Sequence, residues 1–424
     1  MVSEYFYNDR DWLHKSLSDK GVGSVREKLF ARLQEIYPEL VQFRRDLHMY
    51  PELSFQEENT ARKVAAKLES FGIEVKTGVG GMGVVGLLRG GKPGKTVALR
   101  ADFDALPIQD EKEVEYKSRI PGVMHACGHD IHTAGLLGVA QVLSEFRDEL
   151  PGNVVFLHQF AEELPPGGAK AMVEAGCLEG VDVVYGAHVA SDLPLGQVGI
   201  GTGFVTAAAD GFEIVLYGKG GHGAYPHTSI DPIVLGSQIV MNLQQVASRQ
   251  VDPLKQVVLS VCSFIGGGEA FNVIPDQVRL KGTVRTYDEQ VRDAVEASLI
   301  RIVEANCQAV GAKCEIKYQR GYPATWNDPV ETAFVEEEAK RLFGEEGFYR
   351  MPPGMGGEDF SYFAKERPAT FFMTGGRNPD IQATYPHHHP KFDVDERSML
   401  QTGQLFIGAL LSYQERHQEA VVTK

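Results

Sequence analysis

The hydrophobic and polar positions of the first two hundred residues alternate between a helical period and a strand-like period. Apolar residues recur at helical spacing over residues 24–50 and again in SFQEENTARKVAAKLESFG, which ends at Gly72. The segment HTAGLLGVAQVLSEF is apolar almost all round and predicts a buried helix. Short apolar runs predict strands in IEVKTGV, GVVGLLRG, TVALRAD, NVVFLHQF and VDVVYGAHV. This alternation predicts an α/β fold with a central, mostly parallel sheet.

A different order of elements begins near residue 205. Strand-like and helical segments follow one another there as β-α-β-β-α-β, which is typical of a split βαβ module. We therefore expect an inserted second domain over residues 205–319. Residues 1–204 and 320–424 then form the two parts of the first domain.

The composition narrows the class of protein. The 424 residues include 42 Lys and Arg against 57 Asp and Glu, a formal net charge of −15 that argues against nucleic-acid or membrane-surface partners. The N-terminal stretch MVSEYFYNDRDWLHKS lacks the apolar core of a secretion signal, and no apolar run is long enough to span a membrane. The scattered cysteines form no CxxC pair and predict a reduced, cytoplasmic protein; they are Cys127, Cys177, Cys262, Cys307 and Cys314.

Cys127 and His129 lie two residues apart in MHACGHD, so on extended backbone their side chains point to the same side. Cys127 is open to four interpretations: a nucleophile beside a histidine base, half of a disulfide, a metal ligand, or a buried thiol. A thiolate and an imidazole so placed suit a borderline-soft divalent ion such as Zn²⁺. Asp130 follows at the position of a helix N-cap, where it would orient one of the histidines.

Two adjacent carboxylates, Glu162 and Glu163, follow the apolar run FLHQF and precede Pro-Pro-Gly-Gly. Acidic residues also favour the start of a solvated helix, but the apolar run before them fits that interpretation poorly. The carboxyl end of a central strand is where α/β sheets bind their ligands. One glutamate can bind a metal there while its neighbour takes a proton from water.

Histidines end two further segments. His188 closes VVYGAHV, and the histidines at 387–389 precede Pro390, whose ring stiffens the backbone. Together with Cys127, His129 and the glutamate pair, they provide five ligands and a spare carboxylate. Five ligands exceed one closed tetrahedral site and suit two ions that share a water.

Several longer motifs resemble one enzyme family, and they run in that family's order from about residue 40 to 397. The chain resembles the binuclear metallo-amidohydrolases, which include bacterial N-acyl-amino-acid amidohydrolases, hippurate hydrolases and plant auxin-conjugate hydrolases. The resemblance is carried by RRDLHMYPELSFQEENTA, ALRADFDALPIQDE, MHACGHDIHTAGLLG, AEE, GAHV, GKGGHGAYPHTSIDPI, FNVIPD, GTVRT, GGEDFSYF and HHPKFDVDE.

The resemblance implies a catalytic α/β domain interrupted by a smaller lid domain that makes a homodimer contact. It implies that Cys127 bridges two divalent ions and that Glu162 is the general base. The histidine two places before the proline of the family's H-x-P pattern is a ligand, which is His388 here. The implied metal ligands are therefore Cys127, His129, Glu163, His188 and His388.

The resemblance also assigns residues of the inserted domain. His222 of GGHGAYPH is implied to be an oxyanion donor, delivered across the dimer interface. Asn272 and Arg285 are implied to hold the substrate carboxylate, which suits the planar fork of an arginine. Alternatively, Asn272 caps a turn and Arg285 forms a surface ion pair. More distant relatives have a histidine where this chain has Asp102, so we expect Asp102 and Asp104 to support the ligands rather than bind metal.

The activity implied is hydrolysis of the amide bond of N-acyl-L-amino acids, which releases a carboxylic acid and an amino acid. Two ions of Zn²⁺, Mn²⁺ or Co²⁺ are implied as cofactors, and the motifs leave the native metal, the acyl group and the amino acid open. A di- or carboxypeptidase of the same family is the first alternative. A metal-independent cysteine hydrolase using Cys127 with His129 and a non-catalytic binding protein are the others.

Overall fold

The computed structural model describes residues 24–422, so the N-terminal stretch MVSEYFYNDRDWLHKS lies outside the described residues. The chain divides into two compact units. The second unit comprises Thr206–Thr325 and Pro353–Ser361, and the remaining segments form the first. Compared with the insertion expected at 205–319, the second unit thus also includes residues 320–325 and 353–361.

The helices of the first unit flank its strands along the chain. They are α1 (Val25–Glu35), α2 (Tyr37–Met49), α3 (Glu58–Ser70), α4 (His129–Glu145), α5 (Gly168–Glu174), α8 (Pro329–Gly347), α9 (Ser361–Glu366), which begins at the boundary with the second unit, and α10 (Ser398–Val422). Its strands are β1 (Glu74–Val79), β2 (Gly83–Arg89), β3 (Lys92–Asp102), β4 (Pro151–Gln159), β5 (Val183–Pro194), β6 (Val198–Ile200), β7 (Gly203–Thr206), β14 (Thr325–Asn327), β15 (Phe348–Arg350) and β16 (Ala369–Arg377), of which β7 and β14 reach the boundary.

Eight strands form one sheet in the order β1-β2-β4-β3-β5-β16-β6-β15. Its centre is parallel, since β3 pairs in parallel with both β4 and β5, and β5 pairs in parallel with β16. The pairs β1–β2, β2–β4 and β16–β6 are antiparallel, and the edge pair β6–β15 is again parallel. The prediction of an α/β fold around a large sheet is confirmed, and the sheet is mixed, with its parallel part at the centre.

Helix α4 lies in the core of the first unit, and every residue of His129–Ala140 is buried. Its N-cap is Gly128, whose φ of 96° is in the left-handed region that favours glycine. A Cβ at this position would lie 2.4 Å from a methyl carbon of Val189. The expectation that Asp130 is the N-cap is therefore wrong. The N-cap is Gly128, and the close approach of Val189 requires a glycine there.

The elements of the second unit are β8 (Ala208–Tyr217), β9 (Gly221–His222), α6 (Pro232–Gln245), β10 (Val257–Gly266), β11 (Val273–Ile274), β12 (Gln277–Thr286), α7 (Glu289–Val310) and β13 (Lys313–Arg320). Four of the strands form an antiparallel sheet in the order β10-β12-β8-β13. Helices α6 and α7 have aspartate N-caps, Asp231 and Asp288, whose side chains accept two backbone N–H groups each. None of the helices in the described chain is long and apolar enough to cross a membrane.

A fully buried arginine joins α2 to the first turn of α4. Arg44 donates from Nε to Asp130 at 2.7 Å and from a terminal nitrogen to Asp393 at 3.1 Å. Burial alone would raise the pKa of Asp130, but Arg44 and then His48 hold it well below its usual value. Asp130 thus orients a histidine, His48, whose Nδ1 lies 2.7 Å from the carboxylate. His48 is not one of the candidate metal ligands.

We predict that Arg44→Ala lowers the free energy of unfolding by about 3–5 kcal/mol, because it removes the guanidinium that compensates the buried charge of Asp130. Arg45 is the matched control, since it pairs with Glu396 at 2.7 Å with a side chain that is 39% exposed. Arg45→Ala should cost about 1 kcal/mol or less. Urea unfolding of both variants measures the difference, and equal costs would contradict a structural role specific to Arg44.

Candidate metal centre

The candidate ligands of the first unit gather at one edge of the central sheet. The parallel strands β4, β3 and β5 end at this edge, and the glutamate pair follows β4 while His188 lies within β5. His129 is the first residue of α4, and Cys127 lies two residues before it. Because the carboxyl ends of parallel strands share an edge, residues far apart in sequence are brought together there.

Two groups of ligand atoms share one sulfur. The ligand atoms of Cys127, His129 and His188 lie within 4.8 Å of one another, and so do those of Cys127, Glu163 and His388. Within them, Cys127 Sγ lies 3.3 Å from His188 Nε2, and Glu163 Oε1 lies 3.2 Å from His388 Nε2. Each group has the ligand atoms to hold one cation, and Cys127 belongs to both groups.

Backbone carbonyls each accept a hydrogen bond from one ring nitrogen of two candidate histidines. His129 Nδ1 donates to the carbonyl of Asp104 at 3.0 Å, and His188 Nδ1 donates to the carbonyl of Val189 at 2.7 Å. His129 Nε2 is buried and has no hydrogen-bond partner among the described residues. A donor on one ring nitrogen with a free second nitrogen is the usual state of a metal-binding histidine.

The charges around these atoms also fit cations. Burial, then Glu163 and Glu162, raise the pKa of the Cys127 thiol well above its usual value. Burial alone would lower the pKa of His129, but Asp102 and then Asp104 raise it to about 10. The carboxylates thus favour positive charge in this cluster. Divalent ions bound to the thiolate and imidazoles would supply that charge. A raised thiol pKa is the opposite of what a cysteine nucleophile needs.

The three adjacent histidines have different surroundings. His387 Nε2 accepts the N–H of Ser191 at 3.2 Å, so its Nδ1–H faces Cys127 Sγ at 3.7 Å as a donor. His389 Nδ1 accepts the N–H of Lys391 at 3.0 Å, and its ring stacks on Tyr385. His388 is the one whose Nε2 faces Glu163.

Two buried aspartates, Asp102 and Asp104, contact the candidate ligands or residues next to them. Asp104 Oδ2 accepts the N–H of Glu163 at 2.9 Å, while Asp102 binds Arg100 at 2.8 Å and His132 Nδ1 at 2.6 Å. His132 Nε2 accepts the N–H of Val189 at 2.8 Å, so both of its ring nitrogens are used. His132 is not among the residues predicted from the motifs, although its place three residues after His129 on a helix puts both rings on one face.

The second unit brings two of its three candidate residues together. His222 on β9 pairs with Val273 on β11, directly after Asn272, whose carbonyl accepts the N–H of Gly223 at 2.7 Å. His222 is exposed, and its Nδ1 accepts the N–H of Ala224 at 3.0 Å. Arg285 lies apart on β12, where its guanidinium donates to Thr283 and to the carbonyl of Val284.

The fold and this centre define a metal-dependent hydrolase. The chain belongs to Peptidase family M20/M25/M40, whose family model matches residues 98–412. The family's centre is dinuclear, in agreement with the two ligand groups that share Cys127. The protein is therefore an enzyme rather than a binding module, and its hydrolysis is metal-dependent rather than a cysteine nucleophile's.

The relatives extend over most of the chain. An N-acyl-L-amino acid amidohydrolase of Geobacillus stearothermophilus is 50% identical over 298 residues, which cover 70% of this chain and 80% of that protein. Thermostable carboxypeptidase 1 of Saccharolobus solfataricus is 44% identical and covers 89% of this chain and 96% of its own. The crystal structure of the Bacillus subtilis YXEP protein, a dinuclear metal-binding peptidase of the M20 family, superposes with a TM-score of 0.77 at 36% identity, covering 90% and 99% of the two chains.

We predict that His388→Ala reduces the metal content to about one ion per chain, because the group around Glu163 loses a ligand. His387→Ala and His389→Ala are matched controls from the same triplet, and both should keep about two ions per chain. Metal analysis after dialysis against buffer measures the content. Loss of an ion from the His387 variant together with full retention in the His388 variant would reverse the assignment.

Proposed function

We propose that this enzyme hydrolyses the amide bond of N-acyl-L-amino acids and releases a carboxylic acid and an amino acid. The observation that carries the proposal is the pairing of a dinuclear ligand set with an adjacent second carboxylate, Glu162. The similarity to an N-acyl-L-amino acid amidohydrolase over 70% of the chain supports this substrate class.

We assign Cys127, His129, Glu163, His188 and His388 as the residues that hold two ions, with the thiolate shared. Zn²⁺, Mn²⁺ and Co²⁺ all suit a set of one thiolate, three imidazoles and one carboxylate. When bound, such ions polarise the scissile carbonyl and lower the pKa of water to about 7.

Glu162 is the proposed general base. Its Oε2 lies 4.0 Å from His129 Nε2, and the residue is 7% exposed, so it borders the ligands without belonging to either group around Cys127. It takes a proton from the attacking water and returns it to the departing amine, which leaves as a neutral amino group.

His222 is the proposed oxyanion donor. Because its Nδ1 accepts the N–H of Ala224, the neutral ring carries its proton on Nε2, on an exposed side chain. An N–H held in this way stabilises the negative charge that develops on the carbonyl oxygen. Asn272, beside His222, and Arg285 are the proposed partners of the substrate carboxylate, and Arg285 must exchange its present contacts for that role.

A homodimer formed through the second unit is proposed from its exposed apolar side chains. Strand β10 is an edge of the four-stranded sheet, and Ile265 on it is 62% exposed. On α6, Val234 is 53% and Met241 69% exposed. An open strand edge beside an apolar helix face favours pairing with a second copy. His222 would then act on the substrate of the partner subunit.

A carboxypeptidase is the second candidate, because a thermostable carboxypeptidase is 44% identical over 89% of the chain. Both activities need a free carboxylate on the departing amino acid, so they differ in the group on its other side. A screen of acetyl, benzoyl, long-chain acyl and indole-acyl amino acids against dipeptides decides between them. Higher kcat/KM for dipeptides than for every N-acyl amino acid would replace the proposed substrate class.

We predict that Glu162→Gln keeps about two ions per chain but lowers kcat by at least about 100-fold, because an amide cannot accept the proton of water. Chelation of the metals should abolish wild-type turnover, and reloading with Zn²⁺, Mn²⁺ or Co²⁺ should restore it. Steady-state kinetics and metal analysis of the same samples provide the readout. Undiminished turnover in the Glu162 variant would remove it as the base.

We predict that mixing inactive His222→Ala and Glu162→Gln subunits restores activity, because a mixed dimer contains one intact composite site. Random exchange should give about a quarter of the wild-type rate, since about half of the dimers are mixed and each has one intact site of two. The unmixed variants are the controls. Failure of mixed dimers to recover activity, with exchange verified by mass spectrometry, would show that His222 does not act across the interface.

A further inference from the structure

Glu57 is a fully buried carboxyl group that the proposed reaction does not use. It directly precedes α3, and its Oε1 accepts the backbone N–H of Ala161 at 2.8 Å. Its Oε2 is buried without a hydrogen-bond partner among the described residues. Burying a carboxyl oxygen without a hydrogen bond is costly, so the position of Glu57 calls for an explanation.

The partner of Glu57 has an unusual backbone. Ala161 has a φ of 50°, in the left-handed region that a residue with a Cβ seldom adopts, and it is fully buried. It directly precedes Glu162 and Glu163, and its carbonyl accepts the N–H of Gly168 at 3.1 Å. The conformation of Ala161 therefore sets the direction in which the chain enters the two catalytic carboxylates.

Ser54, three residues before Glu57, is linked through Asp104 to the other end of the tripeptide Ala161–Glu163. Ser54 donates its hydroxyl to Asp104 Oδ2 at 2.7 Å, and that oxygen accepts the N–H of Glu163 at 2.9 Å. The stretch from Ser54 to Glu57 thus holds Ala161 directly and Glu163 through Asp104. Of the contacts made by this stretch, only the hydrogen bond accepted by Glu57 comes from the left-handed residue Ala161 itself.

We propose that Glu57 is a positioning residue: its carboxyl oxygen holds Ala161 in the left-handed conformation and so fixes Glu162 and Glu163 against the metal centre. The inference rests on the functions proposed above for those two glutamates. The acceptor oxygen matters and a negative charge does not, because Asp104 and the glutamate pair already concentrate negative charge nearby. In agreement, burial and then Asp104 raise the pKa of Glu57 to about 7.

Two variants of similar size separate the acceptor from the side-chain volume. Glu57→Gln keeps an oxygen that can accept the N–H of Ala161, whereas Glu57→Met does not. We expect the Gln variant to lose at most about threefold in kcat, and the Met variant to lose about tenfold or more with KM within about twofold. The Met variant should also lose more metal to a chelator. Glu58→Ala changes the exposed neighbouring glutamate and is the control.

A second substitution tests whether the effect passes through Ala161. Glycine adopts a positive φ without a Cβ penalty, so Ala161→Gly should restore most of the kcat and metal retention lost in Glu57→Met. Glu57→Ala with the same second substitution replaces this pair if the Met variant does not fold. Equal behaviour of the Gln and Met variants, or a loss that glycine does not recover, would overturn the proposal.

The two readouts keep this proposal separate from the proposed function. Metal retention compares the Glu57 variants even if the wild-type protein hydrolyses no N-acyl amino acid, which would be a failure of the substrate class alone. Wild-type hydrolysis with unchanged kcat and metal retention in Glu57→Met would be a failure of the Glu57 proposal alone.

Discussion

The candidate centre depends on the negative charge that the fold concentrates at one edge of the central sheet. The Cys127 sulfur, the glutamate pair, Asp102 and Asp104 all lie around His129. Few groups in this cluster can supply compensating positive charge, and Arg100 already pairs with Asp102. Burying several anions together is unfavourable unless cations or protons join them. Divalent ions held by the Cys127 thiolate and the neighbouring imidazoles would satisfy this requirement.

Three residues beside or among the candidate ligands have an unusual backbone conformation. Gly128, Ala161 and His388 all have positive φ, with values of 96°, 50° and 64°, and each lies beside or among the candidate ligands. For residues with a Cβ such a conformation costs about 1–3 kcal/mol. Two hydrogen bonds offset the cost: the N–H of Ala161 donates to Glu57 Oε1, and the N–H of His388 donates to the carbonyl of Ala126 at 2.8 Å. The strain therefore falls on Ala161 and His388, whereas Gly128 adopts its positive φ without a Cβ penalty.

Much of the architecture could be predicted from hydrophobic periodicity and motif order. The buried helix α4 and the strands that carry the candidate ligands follow from apolar runs whose lengths and glycine boundaries are visible in the sequence. The mixed sheet could not be predicted in this way, because strand order and direction depend on pairings between distant segments. The different surroundings of His387, His388 and His389 could not be predicted either, because adjacent histidines are distinguished only by the atoms that each ring contacts in the fold. Glu57 lay inside a recognised motif, but its contact with Ala161 spans 104 residues.

The most direct test of the account is a crystal structure of the Zn²⁺-loaded enzyme with anomalous diffraction collected on both sides of the zinc absorption edge. The account predicts two anomalous peaks, each about 2.3 Å from Cys127 Sγ. One peak should also be bound by His129 or His188, and the other by His388. A single peak, or two peaks of which neither contacts Cys127, would contradict a dinuclear centre built on a shared thiolate.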